Sequence, residues 1–194
     1  ALLLFNQSLS HQPERQWLWS ILPDQSLAFS ALDVALLVDP LSVTMSLVVS
    51  NVSFWIALYA TEYMAREEGL VRFFAVLNLF VAFMLLLVLA DNLLVLFIGW
   101  EGVGICSYLL IGFYYREKSA ELAAMKAFLT TRVGDVFLLF AVFLCVVAFN
   151  TTDIVAINNQ SHAIYPDGSL MITLIALCLL GAAVGKSAQI PLQI

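Results

Sequence analysis

Charged side chains are scarce in this sequence: Asp, Glu, Lys and Arg make up 11% of its 194 residues, while 62% are hydrophobic. With a mean hydropathy of +0.97, that scarcity excludes an ordinary soluble domain, in which about a quarter of residues are charged. Histidine is limited to His11 and His162, both in polar connecting stretches, so a pair of axial haem ligands facing each other inside a helix bundle is excluded. Cys106, Cys145 and Cys178 lie in apolar runs without C-x-x-C spacing and read as small buried hydrophobes rather than metal or iron–sulfur ligands. The chain is therefore expected to be redox-silent. A net charge of −6 says nothing about nucleic acid, because apolar segments leave charges few places to go and position outweighs the sum. The sequence begins "ALLLF" without a methionine or a cleavable signal, and it stops at "SAQIPLQI" partway through an apolar segment. The expectation is a fragment of a longer protein, truncated at both ends.

What is present is long apolar runs. A span needs about 20 mostly apolar residues to cross a hydrocarbon core of about 30 Å. Five segments qualify or nearly do, at about 38–59, 71–89, 92–115, 122–149 and 169–194, with a break near Lys186 to Pro191 in the last, and "ALLLF" reads as the tail of a sixth. None alternates as barrel strands do, and in lipid only helices or closed barrels satisfy every backbone group. The fold class is thus an all-α membrane protein, a polytopic transmembrane helix bundle over 38–194 preceded by an external connecting segment within 1–37. No internal repeat is evident.

Orientation follows from Lys and Arg in short loops. Arg66, Arg72, Arg116, Lys118 and Lys126 fall on one side of the alternating spans and only Arg15 on the other. That split places "TEYMAREEGLVR" and "REKSAELAAMK" inside. It places residues 6–37, Asp91 and "NTTDIVAINNQSHAIYPDG" outside, with the tryptophans of "QWLWSIL" suited to the membrane interface. The turn at Asp91 and Asn92 is so short that its flanking helices must be antiparallel neighbours.

The remaining charges are not explained by loops. Counted from Asn92, Glu101 lies about 14 Å along its helix, near mid-membrane, where ionised side chains cost about 2.5 to 3.5 kcal/mol on insertion scales. So short a side chain cannot snorkel out from that depth. A protonated Glu hydrogen-bonded to a neighbouring helix is the structural reading; a site that gains and loses protons is the functional one, and the default for an intramembrane carboxylate. Gly99, Gly102 and Gly104 around it let another helix or water approach closely, with packing alone the simpler account. Arg132 and Asp135, at i and i+3, share a helix face at a similar depth and can pair; a structural salt bridge would itself need a polar or wet interior. Lys186 stays open between a snorkelling helix-end lysine and a lysine beside a broken helix, the latter suggested by Gly185 and Pro191. Burial and neighbouring charge act oppositely on such groups, so changing their separation changes their proton occupancy, the physical basis of a proton relay.

The stretches "DNLLVLFIGWEGVGICSYLLIGFYY", "MKAFLTTRVGDVFLLF" and "GAAVGKSAQIPLQ" closely resemble the subunit L (mitochondrial chain 5) family of antiporter-like membrane subunits of proton-pumping NADH:quinone oxidoreductase, respiratory complex I. The segment "LYATEYMAREEGLVRFFAVLNLF" fits as well, so the resemblance covers the chain from about Asp33 onward. Sister complex I subunits and the A-type component of multisubunit sodium/proton antiporters share the superfamily, but "GWEGVG" combined with "TRVGD" looks like the complex I protein. The resemblance implies that Glu101 and Lys186 form the key pair in the first half of a proton channel, with Asp135 on the same polar axis and Arg132 a weaker inference. It also implies a discontinuous helix at Lys186, with that lysine near mid-membrane. It further implies that NADH, FMN, iron–sulfur clusters and quinone belong to partner subunits, that the partners are other complex I membrane subunits, above all the sister antiporter-like ones, and that the location is a bacterial plasma membrane or a mitochondrial inner membrane.

Overall fold

The computed structural model describes residues 14–20, 33–165 and 169–193; the opening "ALLLF" lies outside the described residues. The chain folds into a bundle of apolar helices with a small β-hairpin at one end. Strand β1 (Glu14–Ser20) pairs antiparallel with β2 (Asp33–Val38), in a register running from Glu14 opposite Val38 to Ser20 opposite Asp33. Helices follow at α1 (Pro40–Tyr63), α2 (Leu70–Val88), α3 (Leu93–Ile111), α4 (Lys118–Phe149), α5 (Ile154–Ile164) and α6 (Leu170–Lys186). The helices α1 to α4 are each long and apolar enough to cross a membrane. Helix α6 is a shorter apolar helix of 17 residues, a length of about 25 Å. This is a multi-pass membrane protein.

Local signals set the helix starts. Asp39 accepts from the Ser42 amide at 2.6 Å while the Ser42 hydroxyl accepts from the Asp39 amide at 2.9 Å, a reciprocal cap followed by Pro40 in the first turn. Proline is preorganised there and its missing N–H costs nothing. Asn92 caps α3 by accepting from the Val95 amide at 2.8 Å. Helix α4, with 32 residues, is about 48 Å long, and its polar first turns reach beyond any hydrocarbon core.

The α2–α3 turn is more elaborate than a two-residue link. Asp91, Asn92 and Thr152 are all buried. The Leu93 amide donates to the Thr152 carbonyl at 2.9 Å and the Ile154 amide to the Asp91 carbonyl at 3.2 Å. From the other side, the Leu37 amide donates to the Leu89 carbonyl at 2.9 Å. The hairpin and the α4–α5 link thus close over the α2–α3 turn, and the segment between α4 and α6 contains helix α5, capped by Asp153 through the Ala156 amide at 2.9 Å.

Helix α4 is the central post, packed against α3 on one side and α6 on the other, while α2 lies along α3 and α1 along α2. Next to the α2–α3 turn, Leu93, Val142, Cys145, Phe149 and Ile175 form an apolar core. At the opposite end, Ala60, Met64 and Phe113 form a second. Between them, a Cβ on Gly102 would run into the Phe83 ring and one on Gly99 would fall 2.8 Å from the Leu87 backbone nitrogen, so α3 requires glycine there to sit against α2. Side chains such as Phe140, Phe143, Val147 and Leu180 face outward, where the solvent is lipid rather than water.

Candidate functional site

Between the two apolar cores, α3, α4 and α6 bring Glu101, Arg132, Asp135 and Lys186 into one cluster. The backbone decides the level at which α6 meets α4. A Cβ on Gly185 would lie 2.6 Å from the Gly134 Cα, and one on Gly134 would lie 3.0 Å from the Gly185 Cα, so the two helices touch main chain to main chain. That contact falls one residue before Asp135 on α4 and one residue before Lys186 on α6. It sets the amine at the height of the carboxylates. Helix α6 ends there: the Ser187 amide donates back to the Ala183 carbonyl at 2.9 Å, and Ala188 takes a left-handed backbone at φ 51°.

Arg132 is the hub. Its Nη1 donates to Glu101 Oε2 and lies 3.6 Å from Asp135 Oδ2, so one guanidinium nitrogen faces carboxylates on two helices. Its carbon sits 4.4 Å from the Phe128 ring centroid, a cation–π contact that shields the charge from lipid. Asp135 also accepts from the Trp100 indole N–H at 2.7 Å. Lys186 Nζ donates to the Trp100 carbonyl at 3.1 Å and lies 5.2 Å from the centroid of the same residue's ring. Among the described residues, no carboxylate is in ion-pair contact with Lys186. The direct partner of Glu101 is therefore Arg132, and Lys186 is fastened to the residue before Glu101 in the chain.

Two carboxylates and two cations sum to zero when all four are ionised. Asp135 is only 5% exposed, and the Glu101 and Arg132 side chains are 18% and 34% exposed. Guanidinium stays charged throughout the accessible pH range, so any change of charge in the cluster must occur at Glu101, Asp135 or Lys186. Unit charges 4 Å apart interact by about 4 kcal/mol at an effective dielectric constant of 20. A change of charge at one group therefore alters the field at the others. A cavity of about 180 Å³ adjoins Lys186, lined by Gly104, Ser107, Tyr108, Phe128 and Thr131. It extends along α3 toward Ile111, the end that carries Arg116 and Lys118.

Sequence reasoning misses Trp100. The signal for it is its place beside Glu101 in an apolar run, since a buried indole N–H needs an acceptor. The Arg132 and Asp135 pairing is legible from their i, i+3 spacing; the Arg132 and Glu101 contact is not, because it depends on how α3 and α4 are rotated about their axes.

A helix bundle of membrane-spanning length whose mid-section holds a cluster of two carboxylates, a guanidinium and an amine defines a membrane protein with ionisable groups inside its bundle. Family models agree with that class: residues 90–194 match the family described as NADH:quinone oxidoreductase/Mrp antiporter, TM, and residues 26–74 match NADH-Ubiquinone oxidoreductase (complex I), chain 5 N-terminus. The chain belongs to the NADH:quinone oxidoreductase/Mrp antiporter transmembrane family. It is 51% identical over 177 residues to NADH-quinone oxidoreductase subunit L of Escherichia coli (strain K12), an alignment covering 91% of this chain and 28% of that protein. It is 46% identical over 162 residues to subunit L of Mycobacterium tuberculosis (strain ATCC 25618 / H37Rv), covering 83% of this chain and 25% of that protein. The structure of the Mrp complex from Dietzia sp. DQ12-45-1b contains a chain similar to this one at 27% identity and a TM-score of 0.79, covering 99% of this chain and 21% of that one. The chain thus spans little more than a quarter of the length of the curated relatives it matches.

Proposed function

We propose that this chain forms the first proton-handling site in a proton-translocating membrane subunit of an NADH:quinone oxidoreductase. Glu101, Asp135 and Lys186 exchange protons, and Arg132 holds the two carboxylates against each other's repulsion. The observation that carries this reading is Arg132 Nη1 placed on Glu101 and 3.6 Å from Asp135, with Lys186 held by a neutral carbonyl. Quinone reduction elsewhere in the complex shifts the separation of these groups, and with it their proton occupancy. NADH, FMN, iron–sulfur clusters and quinone are bound by partner subunits, so this chain belongs to an oxidoreductase without carrying a redox centre. Its nearest partners are the sister antiporter-like subunits, in a bacterial plasma membrane, in keeping with relatives from bacteria such as Escherichia coli (strain K12). Glu101→Gln in the full-length protein tests the assignment: proton pumping coupled to NADH oxidation falls while the complex still assembles. Undiminished pumping by an assembled variant removes Glu101 from the path.

The likeness to a chain of the Mrp complex supports a second reading, an A-type component of a multisubunit sodium/proton antiporter. Co-purification with NADH-oxidising activity favours the first reading; sodium-dependent proton flux in vesicles without that activity favours the second.

A further inference from the structure

At the arginine-rich end of the bundle, away from the proton cluster, two cavities meet. One of about 580 Å³ lies between the α1–α2 and α3–α4 links and is lined by three basic residues, Arg66, Arg72 and Arg116, and three acidic ones, Glu67, Glu68 and Glu117. The other, about 320 Å³, runs down the bundle between α2, α3 and α4, past Phe73, Val76, Leu109 and Leu110. Arg72, Phe113 and Tyr115 line both. A charged chamber opening onto an apolar groove has the shape of a phospholipid seated with its headgroup at the interface and a chain along the helices.

Arg72 stands where a phosphate would. Its Nη2 donates to the Phe113 carbonyl at 2.9 Å, and its guanidinium carbon lies 4.9 Å from the Phe113 ring centroid and 5.0 Å from that of Tyr115. These contacts fix the fork in place and leave further N–H groups for phosphate oxygens. The chamber's other charges select the headgroup. Three cations face Glu67, Glu68 and Glu117 in the chamber and Glu121 in the groove, so an anionic headgroup would add to an excess of negative charge while a zwitterion adds none. A quaternary ammonium binds in a cage of aromatic faces, but the Phe113 and Tyr115 rings already carry Arg72, which leaves Tyr114 as a single ring in the chamber. Carboxylates instead suit an ammonium with N–H donors. We infer that the chamber and groove at the α1–α2 and α3–α4 links bind a phosphatidylethanolamine-type lipid, phosphate on Arg72 and amine among Glu67, Glu68 and Glu117.

The test uses the full-length protein in its assembled complex, reconstituted into phosphatidylcholine nanodiscs with a trace lipid carrying a photoreactive acyl chain. The probe headgroup is ethanolamine, choline or glycerol, and cross-linked peptides are located by mass spectrometry. The ethanolamine probe marks the α2 and α3 peptides around Val76 and Leu109 about tenfold more than the other two, the ratio expected for one charge-assisted contact. Arg72→Gln abolishes the preference, and Val76→Trp, which fills the groove without touching a charge, abolishes labelling there. Equal labelling by all three probes reduces the groove to ordinary lipid-facing surface and overturns the inference. Absence of labelling, meaning that another protein segment covers the groove, overturns it as well. Neither outcome bears on the proton cluster, which shares no residue with this site.

Discussion

Replacing Arg132 by Met removes the cation that faces both Glu101 and Asp135. Two carboxylates then remain with Lys186 as the sole counter-charge, and the cluster carries −1. Breaking a buried ion pair from one side costs about 3 to 5 kcal/mol, because the abandoned charge stays desolvated. With 34% of the Arg132 side chain exposed, the lower end, about 3 kcal/mol, is the better figure. Where the lost contacts are absent from the unfolding transition state, that cost becomes a roughly hundredfold faster thermal inactivation of the assembled complex. Adding Asp135→Asn restores neutrality, leaving Glu101 and Lys186, and the amide oxygen still accepts from the Trp100 indole that now bonds Asp135 at 2.7 Å. The double variant should therefore inactivate about tenfold more slowly than Arg132→Met alone, a coupling of about 1.4 kcal/mol. The assay is the decay of NADH oxidation at a fixed elevated temperature in detergent-solubilised complex. A double variant no more stable than the single one would refute the charge-balance reasoning.

Gly185→Ala places a Cβ 2.6 Å from the Gly134 Cα, where only backbone can yield; overpacking of about 1 to 3 kcal/mol should lower the amount of assembled complex on native gels. Gly104→Ala, whose Cβ would meet Lys186 Nζ at an ordinary 3.5 Å, should assemble at the wild-type level. Trp100→Phe keeps the carbonyl that receives Lys186 but loses the N–H held by Asp135. A charge-assisted hydrogen bond of about 1.5 to 3 kcal/mol disappears, and dye-monitored proton uptake in inverted vesicles should drop while assembly persists; wild-type uptake would mean that the indole does not position Asp135.

The apolar helices were legible because runs such as 73–88 contain no charged residue, and Glu101 was legible because a carboxylate amid "VLFIGWEGVGICSYLLIGF" has no inexpensive explanation. The hairpin was not. Strand β1 lies in a polar stretch, the apolar β2 runs directly into the first helix, and the pairing connects Glu14 to Val38 across 24 positions. Helix α5 was hidden for a related reason: "IVAINNQSHAI" has too little apolar surface to stand out, and its start depends on the Asp153 cap and on the Asp91 carbonyl of a different turn. Within the cluster, spacing along one helix announced Arg132 with Asp135, whereas the partner of Glu101 depends on helix rotation. The hold of Trp100 on Lys186 depends on the approach of Gly185 to Gly134. Such long-range contacts leave a mark on composition, as glycines where helices touch, but none on periodicity.

The central claim is that Glu101 and Lys186 carry protons rather than merely join helices. Glu101→Gln combined with Lys186→Met keeps the cluster neutral, with Arg132 and Asp135 still opposed at 3.6 Å, so packing and assembly are spared while two of the three proton-exchanging groups are lost. Protons translocated per NADH oxidised, measured on the full-length protein in its assembled complex in sealed inverted vesicles, should fall well below the wild-type ratio. An assembled double variant that translocates protons at the wild-type ratio would contradict the account and leave these charges as structural ties.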